Sequence, residues 1–112
     1  MFESQKQPVC PVAITVELIG NKWKILIIRD LLTQKKRFGE LKKSLIQISQ
    51  KVLTDNLRSL EKDGLITRTV FAEVPPRVEY ELTTLGHSLR PILIAMEEWG
   101  ENYKLLNIKT DI

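Results

Sequence analysis

The stretch that decides the fold is SQKVLTDNLRSLEKDGLI, residues 49–66. Leu53, Leu57 and Leu60 recur at i, i+4 and i+7, so one face of a helix is predicted to be buried in a core. The opposite face is polar. Such a helix can be held by a domain while it presents donors and acceptors to the edges of base pairs, but an ordinary surface helix has the same pattern. The neighbouring segments decide between the two.

Capping signals mark both ends of this helix, and a second helix is predicted before it. Ser49 is a good N-cap, and Gly64 suits the left-handed residue that follows a helix. A helix is predicted over about residues 38–45, with a short turn at 46–48. Two short helices joined by a tight turn, the second amphipathic, predict a helix-turn-helix at residues 38–63.

The period of the sequence changes after this helix. Residues 65–71 and 77–82 alternate like β-strands, and a proline-containing loop separates them. A β-hairpin over residues 65–82, directly after a helix-turn-helix, is the order of elements in a winged helix. The predicted fold class is therefore α+β, mostly α: a winged helix-turn-helix.

Two helices are predicted before this unit. Residues 1–10 are expected to form a flexible arm, and residues 12–20 a short helix. Asn21 can cap the next helix, 22–32, which is apolar around most of its circumference, as expected at the centre of a small bundle. The length of the chain predicts one domain over residues 1–112.

The last predicted helix, residues 83–107, carries an apolar heptad stripe. Pro91 removes a backbone donor and predicts a kink near residues 88–90. Because this stripe is longer than a domain of this size needs for itself, helices 12–20 and 83–107 are predicted to form a homodimer interface. The predicted interface residues are Val12, Val16, Ile19, Leu89, Ile92, Met96, Trp99 and Tyr103.

The charges divide the chain into a basic and an acidic part. Residues 22–68 hold twelve Lys and Arg against five acidic residues, a net charge of +7, whereas residues 78–112 hold three against six, a net charge of −3. This division is typical of a module that approaches a polyanion with one side, although a solvated charged surface can have the same counts.

Composition also bounds the classes of function. Neither a membrane span nor a signal peptide is evident, so a cytoplasmic location without membrane contact is expected. One cysteine and one histidine leave no ligand set for a Cys/His zinc site. An enzyme is disfavoured because there is no Gly-rich phosphate loop and no nucleophile with a plausible base. No cofactor is expected.

Eight segments between residues 10 and 103 together match a known family: CP at 10–11, LIGNKW at 18–23, RFGEL at 37–41, ISQKVLT at 48–54, LRSLEKDGLI at 57–66, EVPPRVEY at 73–80, LTTLG at 82–86 and WG at 99–100. With these segments the chain resembles the HxlR-type winged helix-turn-helix transcription regulators of bacteria, relatives of the MarR-type regulators. The resemblance implies a DNA-binding homodimer with residues 49–62 in the major groove and the terminal helices at the interface.

Direct reading of bases needs side chains that project from the first turns of this helix. Ser49 is a candidate for a phosphate contact, or it only caps the helix. Asp55 is an alternative partner for two of the other candidates. It can form a surface ion pair with Lys51 at i, i+4, worth only about 0.3 kcal/mol, or it can hold Arg58 at i, i+3. The residues of this base-reading helix that are predicted to contact DNA are Ser49, Gln50, Lys51, Thr54 and Arg58, of which all but Ser49 are candidates for reading bases.

Other cations are predicted to contact phosphates, which carries no sequence information. Arg77, beside the tip of the wing, is placed either to reach a minor groove or to pair with Glu73 or Glu79. The remaining candidates lie in a flexible basic loop, residues 33–37, and on the helix predicted at residues 38–45. Plain solvation is the alternative for each of them: Lys35, Lys36, Arg37, Lys42 and Lys43.

Cys10 has two possible roles. A thiol near a helix N-terminus is more reactive toward oxidants and electrophiles, and some members of the family sense through a cysteine at a similar place. The alternative is a small apolar residue packed where two chains meet. A sensor would work by an intermolecular disulfide or by S-alkylation, since the chain has no second cysteine.

The predicted partners are double-stranded DNA and a second copy of the chain. The leading hypothesis is a homodimeric regulator on a pseudo-palindromic operator. The recognition helices of the two protomers, residues 49–62 of each, would then lie roughly 34 Å apart. The alternative is a winged-helix module that binds protein, and the twelve cations of residues 22–68 favour DNA. The sequence does not specify the operator, the sign of regulation or a small-molecule effector.

Overall fold

The computed structural model describes residues 10–106, in which six helices surround a small three-stranded antiparallel sheet. This architecture confirms the predicted winged helix-turn-helix. The predicted arm, apart from Cys10, and residue 107 of the predicted last helix lie outside the described residues. Among residues 10–106, no helix is both long enough and apolar enough to span a membrane. The elements are α1 (Pro11–Ile19), α2 (Lys22–Leu31), β1 (Lys36–Arg37), α3 (Phe38–Ser44), α4 (Gln50–Lys62), β2 (Ile66–Phe71), β3 (Arg77–Leu82), α5 (Thr84–His87) and α6 (Arg90–Leu105).

Helix α4 begins and ends where its capping residues predict. The Ser49 hydroxyl oxygen accepts a hydrogen bond from the Val52 backbone N–H at 3.1 Å, which satisfies one donor of the first turn. Gly64, just beyond the helix, has φ +78°, a left-handed conformation that glycine adopts without a steric cost. The polar face of α4 therefore has a defined start and length.

The core lies between α2, α3, α4 and the base of the sheet. Leu53 and Leu60 of α4 are fully buried, and Leu57 is nearly so. They pack in one cluster with residues of α2 and α3, among them Ile27 and Leu41. Burial of each such side chain contributes about 1.5–3 kcal/mol, so the apolar face of α4 is held firmly while its other face stays free.

The sheet has the strand order β1-β3-β2, with both pairs antiparallel. The hairpin register pairs Ile66 with Leu82 and Phe71 with Arg77. Residues 33–37 were expected to form a flexible loop, and this expectation is wrong for Lys36 and Arg37, which pair with β3 as strand β1. A two-residue strand carries no periodicity of its own, so only the partner strand reveals it.

The predicted last helix is divided in two. The Thr83 hydroxyl oxygen caps α5 by accepting a hydrogen bond from the Gly86 N–H at 3.0 Å. Helix α5 ends at His87, and α6 begins at Arg90 with Pro91 in its first turn. Proline has no N–H to bond to the preceding turn, so the kink predicted at residues 88–90 is a complete break.

Helices α1 and α6 are only loosely attached to the rest of the chain. Among the nine residues of α1 only Ile19 is buried, and among the sixteen of α6 only Leu93. The radius of gyration is 15.8 Å, compared with about 13 Å for a compact chain of this size. One anchor is the Arg90 guanidinium, which donates to the Leu32 carbonyl at 2.8 Å. The apolar residues of both helices therefore remain largely exposed.

Candidate nucleic-acid interface

The outer face of α4 forms a shallow concave surface. The four predicted base-reading residues lie together on it, because positions three, four and seven apart share one face of a helix. Thr54 is half-buried and supports the middle of this surface, and the other residues that line it are exposed. The concavity has a volume of about 550 Å³ and is lined by Gln50, Lys51, Thr54, Asp55 and Arg58.

Two competing interactions predicted for this face occur in the structure. Ser49 caps the helix, as described above. Lys51 Nζ lies 2.7 Å from Asp55 Oδ2, but the two side chains are 84% and 53% exposed, so the pair contributes little and can open. Asp55 is thus paired with Lys51 and not with Arg58. Within residues 10–106, no carboxylate lies within ion-pair distance of the Arg58 guanidinium.

The predicted phosphate-contacting cations differ in their surroundings. Lys42 and Lys43 are exposed in the last turn of α3, where the helix dipole also favours positive charge. Arg37 is exposed on β1 and Lys36 is half-buried there. Lys35 Nζ is 3.3 Å from Glu79 Oε1, so its charge is already balanced by a carboxylate of β3.

Arg77 is held against the wing. Its Nη1 lies 3.1 Å from Glu73 Oε2, and its guanidinium stacks 4.0 Å from the Phe71 ring centre. Its Nε is 3.3 Å from Glu79 Oε2 but lacks hydrogen-bond geometry. The ion pairs that were the predicted alternative to a minor-groove contact are therefore present. The Arg77 side chain is only 26% exposed.

Arg68 is a candidate that the sequence reasoning missed. It lies on β2 opposite Tyr80 and lines a cleft of about 420 Å³ between α4 and the sheet, together with Arg58 and Glu61 of α4. A signal was present in the sequence, because the alternation of β2 places Arg68 on the same face as the buried Ile66. A cation at a core-facing position of a strand indicates a place where the core opens to a groove.

Most of the predicted interface residues form exposed apolar patches on α1 and α6. Leu89 and Tyr103 are half-buried, and the Tyr103 ring stacks on Trp99 at 5.4 Å between centres. Ile19 is only 4% exposed and belongs to the core of its own chain, so its prediction as an interface residue is corrected. The others are exposed: Val12 73%, Val16 58%, Ile92 39%, Met96 43% and Trp99 69%.

Cys10 is exposed and occupies the N-cap position of α1. Its Sγ accepts a hydrogen bond from the Ala13 backbone N–H at 3.3 Å. The thiol is thus accessible to a reagent and lies at the positive end of a helix.

The model of the HxlR-like helix-turn-helix family matches residues 18–107, most of the chain. The chain belongs to the HxlR-like helix-turn-helix family. Among its relatives is the HTH-type transcriptional regulator YdeP of Bacillus subtilis (strain 168), which is 48% identical over 95 residues, or 85% of this chain and 74% of YdeP. Membership of this family makes the protein a helix-turn-helix transcription regulator.

Solved structures of other regulators have the same fold. The redox regulator HypR in its oxidised form is 43% identical, with a TM-score of 0.80, and the match covers 92% of this chain and 100% of HypR. The reduced form of HypR is 44% identical, with a TM-score of 0.82 over 85% of this chain and 94% of that one. These relatives are regulators, and no catalytic family is indicated.

Proposed function

We propose that this HxlR-like protein regulates transcription as a homodimer that binds a pseudo-palindromic DNA operator. Each protomer would insert α4 into one of two successive major grooves. The observation that carries the proposal is the outer face of α4, where Gln50, Lys51, Thr54 and Arg58 share one concave, solvent-facing surface. Amide, hydroxyl and guanidinium groups are the donors and acceptors that read base edges in the major groove.

The basic surroundings of α4 support DNA, and not protein, as the partner. Lys42 and Lys43 extend from the neighbouring helix, and Arg37 from the first strand. Phosphate contacts of this kind provide affinity and fix the orientation of the protein on the duplex. Because the relatives carry the name of transcription regulators, the alternative of a protein-binding winged helix has less support.

The exposed apolar residues of α1 and α6 support the homodimer. Trp99 is 69% exposed and Val12 73% in the single chain, and large apolar patches of this kind mark association surfaces. A dimer with two-fold symmetry matches a palindromic operator, because each half-site then meets the same surface of one protomer.

The direct test of DNA binding is a fluorescence anisotropy titration of a labelled duplex, selected from a random pool, at several salt concentrations. A protein that neutralises six to ten phosphates loses about 10³–10⁵ in affinity between 50 and 200 mM salt. We expect a decrease of this order. An affinity that does not change with salt, or no binding in dilute buffer, would contradict the proposal.

We further propose that Cys10 makes the regulator responsive to oxidants. The thiol is exposed at the start of α1, a helix of the proposed interface, so the two Cys10 residues of a dimer belong to the same assembly surface. Two thiols would each lose a proton and together give two electrons to an oxidant such as diamide, forming one intermolecular disulfide. The redox regulator HypR has the same fold, which supports this chemistry without assigning the residue.

A further inference from the structure

The cleft between α4 and the wing contains two arginines from different elements. Arg58 comes from the third turn of α4, and Arg68 from strand β2. Both line the same space of about 420 Å³. The cleft thus brings together one guanidinium group from α4 and one from the wing. Positive charge is concentrated there.

The side chains of both arginines are free in the described part of the chain. Neither guanidinium forms an ion pair or a hydrogen bond with any residue of the 10–106 range. In contrast, Arg29 pairs with Asp30, Arg77 pairs with Glu73, and Arg90 donates to the Leu32 carbonyl. Three of the six arginines are thus held by a partner, whereas Arg37, Arg58 and Arg68 have no side-chain partner within this range and are available to a ligand.

The lining of the cleft favours an anion with several oxygens. Gln50 and Thr54 add neutral hydrogen-bonding groups at one side, and Leu57 and Tyr80 form a largely buried floor that limits solvent screening. Glu61 is the carboxylate of this lining, and it lies beyond ion-pair distance of both arginines. The planar guanidinium binds phosphate oxygens with two parallel hydrogen bonds, so two such groups fit one phosphodiester.

We propose that Arg58 and Arg68 together bind one phosphate of the DNA backbone in this cleft. The inference rests on the proposed function and changes one part of it, because Arg58 then contacts the backbone and not a base. The position of Arg58 supports this change, since base reading by such helices uses their first turns, where Gln50 and Thr54 lie. The backbone strand that passes between α4 and the wing would thus be fixed from both sides.

The test uses the full-length protein and four variants, Arg68→Gln, Arg58→Gln, Glu61→Gln and Lys104→Gln, that each change one charge. Arg68→Gln is expected to weaken binding about tenfold per protomer, by the same factor on the selected duplex and on an unrelated duplex of equal length. It also reduces the salt dependence, the slope of log K against log salt, by about one per protomer. Glu61→Gln removes the repelling carboxylate and is expected to strengthen binding to both duplexes, by up to about fivefold.

Lys104→Gln is the matched control for a lost positive charge. Lys104 lies on α6, and within residues 10–106 it pairs only with the exposed Glu101, so this variant should retain the affinity and slope of the wild-type protein. Urea denaturation of each variant shows whether its stability is unchanged. If Arg68→Gln is poorly folded, Arg58→Gln and Glu61→Gln test the same cleft, with effects of opposite sign.

The outcomes separate this inference from the proposed function. If the wild-type protein does not bind DNA with a steep salt dependence, both are wrong. If the wild-type protein binds but none of the cleft variants changes affinity and slope, only the phosphate site is wrong. A loss confined to the selected duplex would make Arg68 a base-reading residue and would also overturn the phosphate site.

Discussion

Single residues around α4 differ in whether their charge is already balanced within the chain. Lys35 and Arg77 are paired with carboxylates of the wing and its tip, whereas Lys42, Arg58 and Arg68 have no such partner among residues 10–106. A paired cation must break its ion pair before it binds a phosphate, so its contribution to DNA affinity is smaller. Because Lys35 belongs to the charge count of residues 22–68, fewer of those cations are free to contact DNA than the count suggests.

Replacement of Gln50 by alanine tests the reading of bases. Gln50 is exposed in the first turn of α4, and its amide can form two hydrogen bonds with an adenine edge. We expect Gln50→Ala to reduce discrimination between the selected site and a site changed at one base pair by about 1–3 kcal/mol, while binding to unrelated DNA stays the same. Competition titrations measure this difference, and Asn102→Ala, which removes an exposed amide from α6, is the control.

Replacement of Cys10 by serine tests the response to oxidants. Serine retains an oxygen acceptor for the Ala13 N–H, so the start of α1 is preserved while the thiol is removed. We expect diamide to produce a disulfide-linked dimer of the wild-type protein on a non-reducing gel and to change its DNA affinity. Cys10→Ser should show neither effect. Unchanged DNA binding by the oxidised wild-type protein would rule out a sensor.

At the scale of elements, α5 is the link between the wing and α6. The Thr83 hydroxyl donates to the Gly64 carbonyl at 2.7 Å, which ties the start of α5 to the end of α4. Gly86 allows α5 to lie close to the chain before the wing, since a Cβ there would clash with the Leu65 carbonyl oxygen. The orientation of α6 relative to the proposed DNA-binding surface thus depends on this close contact.

Gly86→Ala is expected to lower the free energy of unfolding by about 1–3 kcal/mol or more, because the backbone oxygen of Leu65 cannot move easily. The control is Gly39→Ala in α3, where a Cβ meets no atom within 4 Å. That variant should raise the stability by up to about 1 kcal/mol, from helix propensity alone. Urea denaturation at one fixed protein concentration compares the two, and equal effects would contradict the close approach at Gly86.

The elements that the sequence predicted are those with a local signal. Helix α4 has its apolar period, its serine cap and Gly64, and the hairpin has two alternating segments, so each could be recognised alone. Strand β1, the partners of Lys35 and Arg77, and the cleft at Arg68 arise from contacts between distant parts of the chain. Periodicity cannot reveal such contacts. The break before α6 was visible in part through Pro91, but its extent depends on how α5 packs.

At the scale of the whole molecule, the part that presents α4 and the wing differs from the part formed by α1 and α6. The core holds α4 and the wing in a fixed relation, while α1 and α6 extend from it with exposed apolar residues. Such an elongated protomer is stabilised when a second copy covers these residues. The dimer would then set the distance between the two α4 helices, and with it the spacing of the half-sites.

Trp99→Lys tests whether the exposed apolar residues of α6 form the dimer interface. Trp99 is 69% exposed in the single chain, so the protomer should still fold, but a lysine at the centre of an apolar interface is unfavourable. We expect the variant to sediment as a monomer at concentrations where the wild-type protein is a dimer. Val74→Lys, at a fully exposed position of the wing, should remain a dimer. If both variants remain dimers, the interface lies elsewhere.

Hydroxyl-radical footprinting of the wild-type protein on a selected duplex tests DNA recognition and the dimer together. Two α4 helices in successive major grooves predict two protected stretches on one side of the duplex, with centres about 10 base pairs, or 34 Å, apart and related by two-fold symmetry. A single protected stretch, or no protection in dilute buffer, would contradict this mode of recognition.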